Sequence, residues 1–125
     1  MERFLLICLA GAAGSGTRYL VGLFTASRFG PGFPFGTLTV NLVGCFVIAL
    51  VTQYALQTAG FSETLRLTIA TGFVGGLTTY SAFNYETTAM VEKGEWRTAA
   101  LYLLCTLVGC TLTGLLGLFV ARRLA

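Results

Sequence analysis

The chain has no histidine, only two prolines in 125 residues, and only 10% charged residues. Without histidine it lacks the usual metal ligand and the one side chain that ordinarily moves protons near neutral pH. An ordinary soluble domain is about 25% charged, so an apolar soluble core is a poor reading of so short a chain. The net charge of +3 is small and dispersed, which argues against nucleic acid as a partner. There is no dinucleotide or phosphate-cradling glycine pattern and no nucleophile elbow, so nothing in the chain points to an enzyme. The four cysteines (Cys8, Cys45, Cys105, Cys110) stand in apolar runs without metal-type spacing or a secreted disulfide framework. They read as small buried hydrophobes with free thiols.

What the chain does have is apolar length: 55% of it is hydrophobic. A crossing helix needs about 20 mostly apolar residues, so the chain accommodates four spans with short loops and no further domain. The expected spans are 4–24, 36–56, 65–91 and 98–120, forming a single four-helix transmembrane domain. The start also has the look of a signal peptide, with Arg3, a short apolar run and then AGAAG. Glu2 offsets that basic end and the apolar pattern resumes after Ser15 and Gly16, so it is kept as a span. Residues 25–35, with Gly30, Pro31, Gly32 and Pro34, are expected to be a loop.

Stretch 71–86, TGFVGGLTTYSAFNYE, stands out inside the third span. Gly75 and Gly76 followed by Thr78 and Thr79 make a poor helix centre, since glycine there costs about 1 kcal/mol relative to alanine. Unpaired backbone in a membrane is tolerated only where it is buried in protein or lines a polar cavity. The third helix is therefore expected to be broken near 75–79. Beyond the break, Tyr80, Phe83 and Thr87 share one helix face, and Ser81, Asn84 and Thr88 share the neighbouring one. In the fourth span, Tyr102, Thr106, Cys110 and Thr113 recur at helical period.

Three further residues are out of place in hydrocarbon. Arg18 either snorkels to the interface or sits in a watery vestibule that attracts anions. Asn41, with Thr37 one turn before and Gly44 one turn after, faces either another helix or a pore. Glu86, towards the end of the third span, is expected to pair with an arginine at the vestibule. Charge does not orient the chain. One side carries Arg3, Arg66, Arg122 and Arg123, and the other Arg28, Lys93 and Arg97, with Arg18 making four. The positive-inside rule needs an excess on one side. Insertion in both orientations follows, and with it an antiparallel dimer whose two-fold axis lies in the membrane plane.

Two motifs resemble those of a known family. GGLTTYSAFNYE is similar to the GGLTTFSTFSxE motif of the Fluc (CrcB-type) bacterial fluoride channels, and GTLTVNLVG resembles their GTLxxNxxG. The spacing of Gly14 and Arg18 agrees as well. The resemblance spans the whole chain and implies an all-α, antiparallel dual-topology homodimer in the bacterial inner membrane. It further implies two fluoride pores along the subunit interfaces and passive, fluoride-selective export. The backbone carbonyls of Gly75 and Thr78 match those that hold a central structural sodium ion in the family. Asn41 matches the pore asparagine, and Tyr80 and Phe83 match its two pore phenylalanines. Thr79, Ser81, Tyr102 and Thr106 match its polar track, with Cys110 where serine is often found. Tyr80 and Asn84 depart from the motif, and a related partner chain in place of a second copy stays open. The rival reading, a small dual-topology proton-coupled multidrug exporter, needs a mid-membrane carboxylate in the first span, which has none. A non-transporting assembly protein would explain the small residues but not the polar faces.

Overall fold

The structure is a computed structural model and describes residues 1–124. All its regular structure is helical among these residues: α1 (Glu2–Phe29), α2 (Phe35–Gln57), a composite third element, and a last helix (Trp96–Leu124). The composite element begins as α3 (Glu63–Leu67), widens into a π-helical stretch (Thr68–Val74), and closes with one α turn (Gly75–Leu77). Thr78 and Thr79 are extended, and α4 (Tyr80–Glu92) follows them. The last helix is α5. Three helices, α1, α2 and α5, are long and apolar enough to cross a membrane. Neither limb of the third element reaches the length a crossing needs, but the two in series do.

α1 runs beyond the expected 4–24 window and takes the first residues of the expected loop. Thr25 is accommodated because its hydroxyl donates back to the carbonyls of Val21 and Gly22. The helix stops where Gly30 adopts φ 77°, just before Pro31, which has no amide to continue the ladder. α2 starts directly after Pro34.

The break lies at Thr78 and Thr79 rather than at the glycines. Gly75 has helical angles, whereas Thr78 (φ −83°, ψ 157°) and Thr79 (φ −156°, ψ 113°) do not. The Thr79 hydroxyl then accepts from the Ala82 amide at 3.2 Å and caps α4. The small residues instead allow α1 and the first limb to touch. A Cβ on Gly14 would collide with the Phe73 carbonyl and lie 2.9 Å from the Leu77 nitrogen. Because both obstacles are backbone, Gly14→Ala is expected to cost about 1–3 kcal/mol. A lower melting temperature and loss of the sharp gel-filtration peak would register that cost.

The centre of the bundle is polar-aromatic. Phe83, Met90, Ala99 and Tyr102 are buried together, with Phe33, Leu38 and Val91 against them. The outer face of α5 is open and apolar, with Leu104, Leu107, Leu112, Leu115 and Phe119 all exposed. In hydrocarbon such a face needs no cover from the chain's own residues.

Candidate functional site

The site is built on the break. When Thr79 leaves the first limb, its backbone amide loses its helical partner, while its carbonyl, at the N-cap of α4, begins the next helical ladder. Asn41, buried on α2, bonds both groups: its Oδ1 accepts from the Thr79 amide at 2.8 Å, and its Nδ2 donates to the Thr79 carbonyl at 3.1 Å. Asn41 thus binds another helix, and it also lines a cleft. One of its two amide hydrogens stays uncommitted.

Arg18 donates from Nη1 to the Thr78 carbonyl at 3.2 Å. Among the described residues it pairs with no acid. Its charge is held against the break, half-buried, on the wall of a cleft of about 740 Å³ that also contains Ser81 and Thr79. The Ser81 and Thr79 hydroxyls are 3.1 Å apart.

A second cleft, of about 410 Å³, opens on the other side of Thr79. It gathers Asn41, Thr79, Tyr80, Phe83, Thr106 and Cys110. Phe83 is 4% exposed and Tyr80 76% exposed, so the two aromatic residues have different surroundings. Their rings meet at 5.7 Å and 63°, and Phe83 meets Tyr102 at 5.1 Å and 72°. In such contacts the positive edge of one ring meets the negative face of the other. Thr106 is the one described residue with a buried side-chain polar atom lacking any partner. A buried hydroxyl left unpaired costs about 1–3 kcal/mol.

Tyr102 does not line either cleft. It is fully buried, and its phenol donates to Glu86 Oε2 at 2.7 Å. The other carboxylate oxygen, Oε1, accepts from the Thr37 hydroxyl at 2.7 Å. The expected arginine partner for Glu86 is therefore replaced by two hydroxyls, and the salt bridge among the described residues is Arg66 with Glu63. Thr37 and Glu86 also border a third opening, of about 600 Å³, near Lys93 and the α1–α2 loop. Thr37 lies on the walls of both that opening and the Arg18 cleft, and Thr79 on the walls of both inner clefts. Polar groups thus continue from the loop end to the break. The role of Thr37 was legible only in outline: it precedes Asn41 by one turn on α2, while Glu86 follows Thr79 by two turns on an oppositely running helix.

Gly75 and Thr78 differ as cation ligands. The Gly75 carbonyl would normally accept the Thr79 amide, but that amide goes to Asn41, so the break frees the Gly75 oxygen. The Thr78 carbonyl carries Arg18 on one lone pair and keeps the other. Bare carbonyls without a carboxylate suit a hard monovalent cation.

Four crossings, one interrupted by a polar-lined break, define a multi-pass membrane protein of the channel type. The chain belongs to the CrcB family: residues 5–118 match the family described as CrcB-like protein, Camphor Resistance. It is 49% identical over 125 residues to the fluoride-specific ion channel FluC of Anaeromyxobacter sp. (strain K), covering all of this chain and 99% of the relative. It is 46% identical to that of Sorangium cellulosum, over 99% of this chain and 98% of the relative. The identity to that of Geobacter metallireducens is 43%, over 99% of this chain and all of the relative. These relatives are ion channels rather than enzymes.

Proposed function

We propose that the chain conducts fluoride passively across the bacterial inner membrane as an antiparallel dual-topology dimer with two pores. The observation that carries the pore assignment is the buried, unpartnered hydroxyl of Thr106, a residue that borders one cleft with Asn41 and Phe83. Fluoride is small and strongly hydrated, so its path must replace water with good donors. In this reading the free Asn41 amide hydrogen and the Thr106 and Ser81 hydroxyls do so without a fixed charge at the narrowest point. The Thr79 hydroxyl adds to that track, while Tyr80 and Phe83 turn ring edges to the ion. Tyr102 acts one step back, because its proton is committed to Glu86. Arg18 draws anions into the vestibule, and its hold on the Thr78 carbonyl fixes it there.

A second copy completes the path. The 76% exposure of Tyr80 at the edge of the cleft favours cover by a partner of opposite orientation. The Gly75 and Thr78 carbonyls of the two copies would together hold a structural sodium ion, supplying the oxygens that one chain cannot. A C-terminal reporter is expected on both sides of the membrane. Its appearance on one side alone would replace the second copy by a related chain of opposite orientation.

Thr106→Val tests the pore directly. The hydroxyl makes no hydrogen bond in the protein, so its loss should leave the melting temperature unchanged or slightly raised. Fluoride efflux from liposomes should fall about tenfold to a hundredfold, the weight of one hydrogen bond to an ion. Efflux equal to that of the unsubstituted protein would remove Thr106 from the path. Coupled proton movement would favour an exporter, although the first helix carries an acid only at its exposed end, Glu2.

A further inference from the structure

Cys45 on α2 and Cys110 on α5 lie on the wall of the same 410 Å³ cleft. α2 and α5 run side by side and in register here. Leu42 packs over Gly109, and the Cys45 carbonyl lies 3.8 Å from where a Cβ on Gly114 would stand. Both residues border that cleft, one from each of these two contacting helices. Both are half-buried and free. Cys8 is exposed on α1, and Cys105 projects from a different face of α5, five residues before Cys110.

We propose that Cys45 and Cys110 form a two-thiol binding site for soft, two-coordinate metal cations of the mercury(II) class. Among the described residues no cluster of three or more histidine, cysteine or acidic side chains could hold a metal, so tetrahedral zinc and iron–sulfur chemistry lack their ligands. Two thiolates bordering one cleft from adjacent helices offer a soft ion the two sulfur ligands it prefers. On binding, each thiol gives its proton to solvent and each sulfur gives an electron pair to the metal; no oxidant or reductant takes part. Asn41 is one turn from Cys45 and Thr106 one turn from Cys110, on the same wall. A bound ion therefore occupies the cleft in which those groups meet.

The site itself does not depend on the conduction reading, and its test is made on the purified full chain carrying Cys8→Ser and Cys105→Ser. Titration with mercuric chloride, read by the loss of thiols reactive to a disulfide reagent, should end at one metal for every two thiols. Adding Cys45→Ser or Cys110→Ser should weaken retention of mercury against a competing monothiol by about a hundredfold or more, since a chelate becomes a single bond. An endpoint of one metal per thiol, or equal retention after either replacement, would overturn the site. Phenylmercury, which takes one sulfur, separates pairing from simple reactivity: it should show no such preference for the two-thiol protein, and an equal preference would again overturn the pair. In liposomes, the ratio of mercury-treated to untreated fluoride efflux should fall for the two-thiol protein and stay near unity for Cys45→Ser. An unchanged ratio with intact binding would place the site outside the conduction path.

Discussion

Asn41→Asp is expected to abolish fluoride efflux while leaving a folded protein. Aspartate has nearly the shape of asparagine and can still accept the Thr79 amide, which lies 2.8 Å from Oδ1. It loses the 3.1 Å donation to the Thr79 carbonyl and puts negative charge on the wall of the cleft. At a separation of about 5 Å and an effective dielectric of about 20, the repulsion of an anion is about 3 kcal/mol, or more than a hundredfold in flux. Asn41→Leu separates this effect from the structural one. It leaves the Thr79 amide unpaired, at about 1–3 kcal/mol, removes one donor from the Thr79 carbonyl, and should lower the melting temperature. An aspartate variant that folds and conducts normally would confine Asn41 to holding the break.

Phe83→Ile should have the second large effect. The Phe83 ring is buried, with edge contacts to Tyr80 at 5.7 Å and Tyr102 at 5.1 Å. Isoleucine keeps much of the apolar volume but has no ring edge for an anion. Loss of one favourable ion contact and of the ring packing should lower efflux about a hundredfold, with a stability cost of about 1–3 kcal/mol. Efflux assays on liposomes, paired with gel filtration to confirm assembly, read both effects. Normal efflux would take Phe83 out of the pore wall.

The helical architecture was legible in the sequence because hydrocarbon leaves the backbone few choices. The interruption of the third helix was legible too, but its cause was not. Glycine serves both to weaken a helix and to let helices touch, and a sequence does not say which. Here Gly14 is needed for contact with the first limb, while Thr78 and Thr79 make the break, held open by Asn41. The extension of α1 to Phe29 was hidden for a related reason. Thr25 looks like a loop residue until its hydroxyl is seen to bond back into the helix.

The site was legible residue by residue and less so in its pairings. Asn41, Thr79, Tyr80, Phe83 and Thr106 border one cleft, and Ser81 borders the neighbouring one. Tyr102 does not join them on the cleft wall, and Glu86 takes hydroxyls in place of an arginine. Helical spacing assigns residues to a face but does not say which of two oppositely directed groups will meet across the bundle. Burial decided it: a carboxylate between α2 and α5 is stabilised by the two donors those helices present, Thr37 and Tyr102. Cys45 and Cys110 show the same limit, because their spacing in the chain gives no hint that α2 and α5 bring them to one cleft.

The most direct measurement of the central claim is anion efflux from liposomes containing the purified protein and loaded with either fluoride or chloride. A potassium ionophore sets the membrane potential, and an ion-selective electrode follows the release. The account predicts rapid fluoride release that follows the applied potential, needs no proton gradient, and has no matching chloride release. No fluoride efflux, or chloride efflux at the same rate, would contradict it.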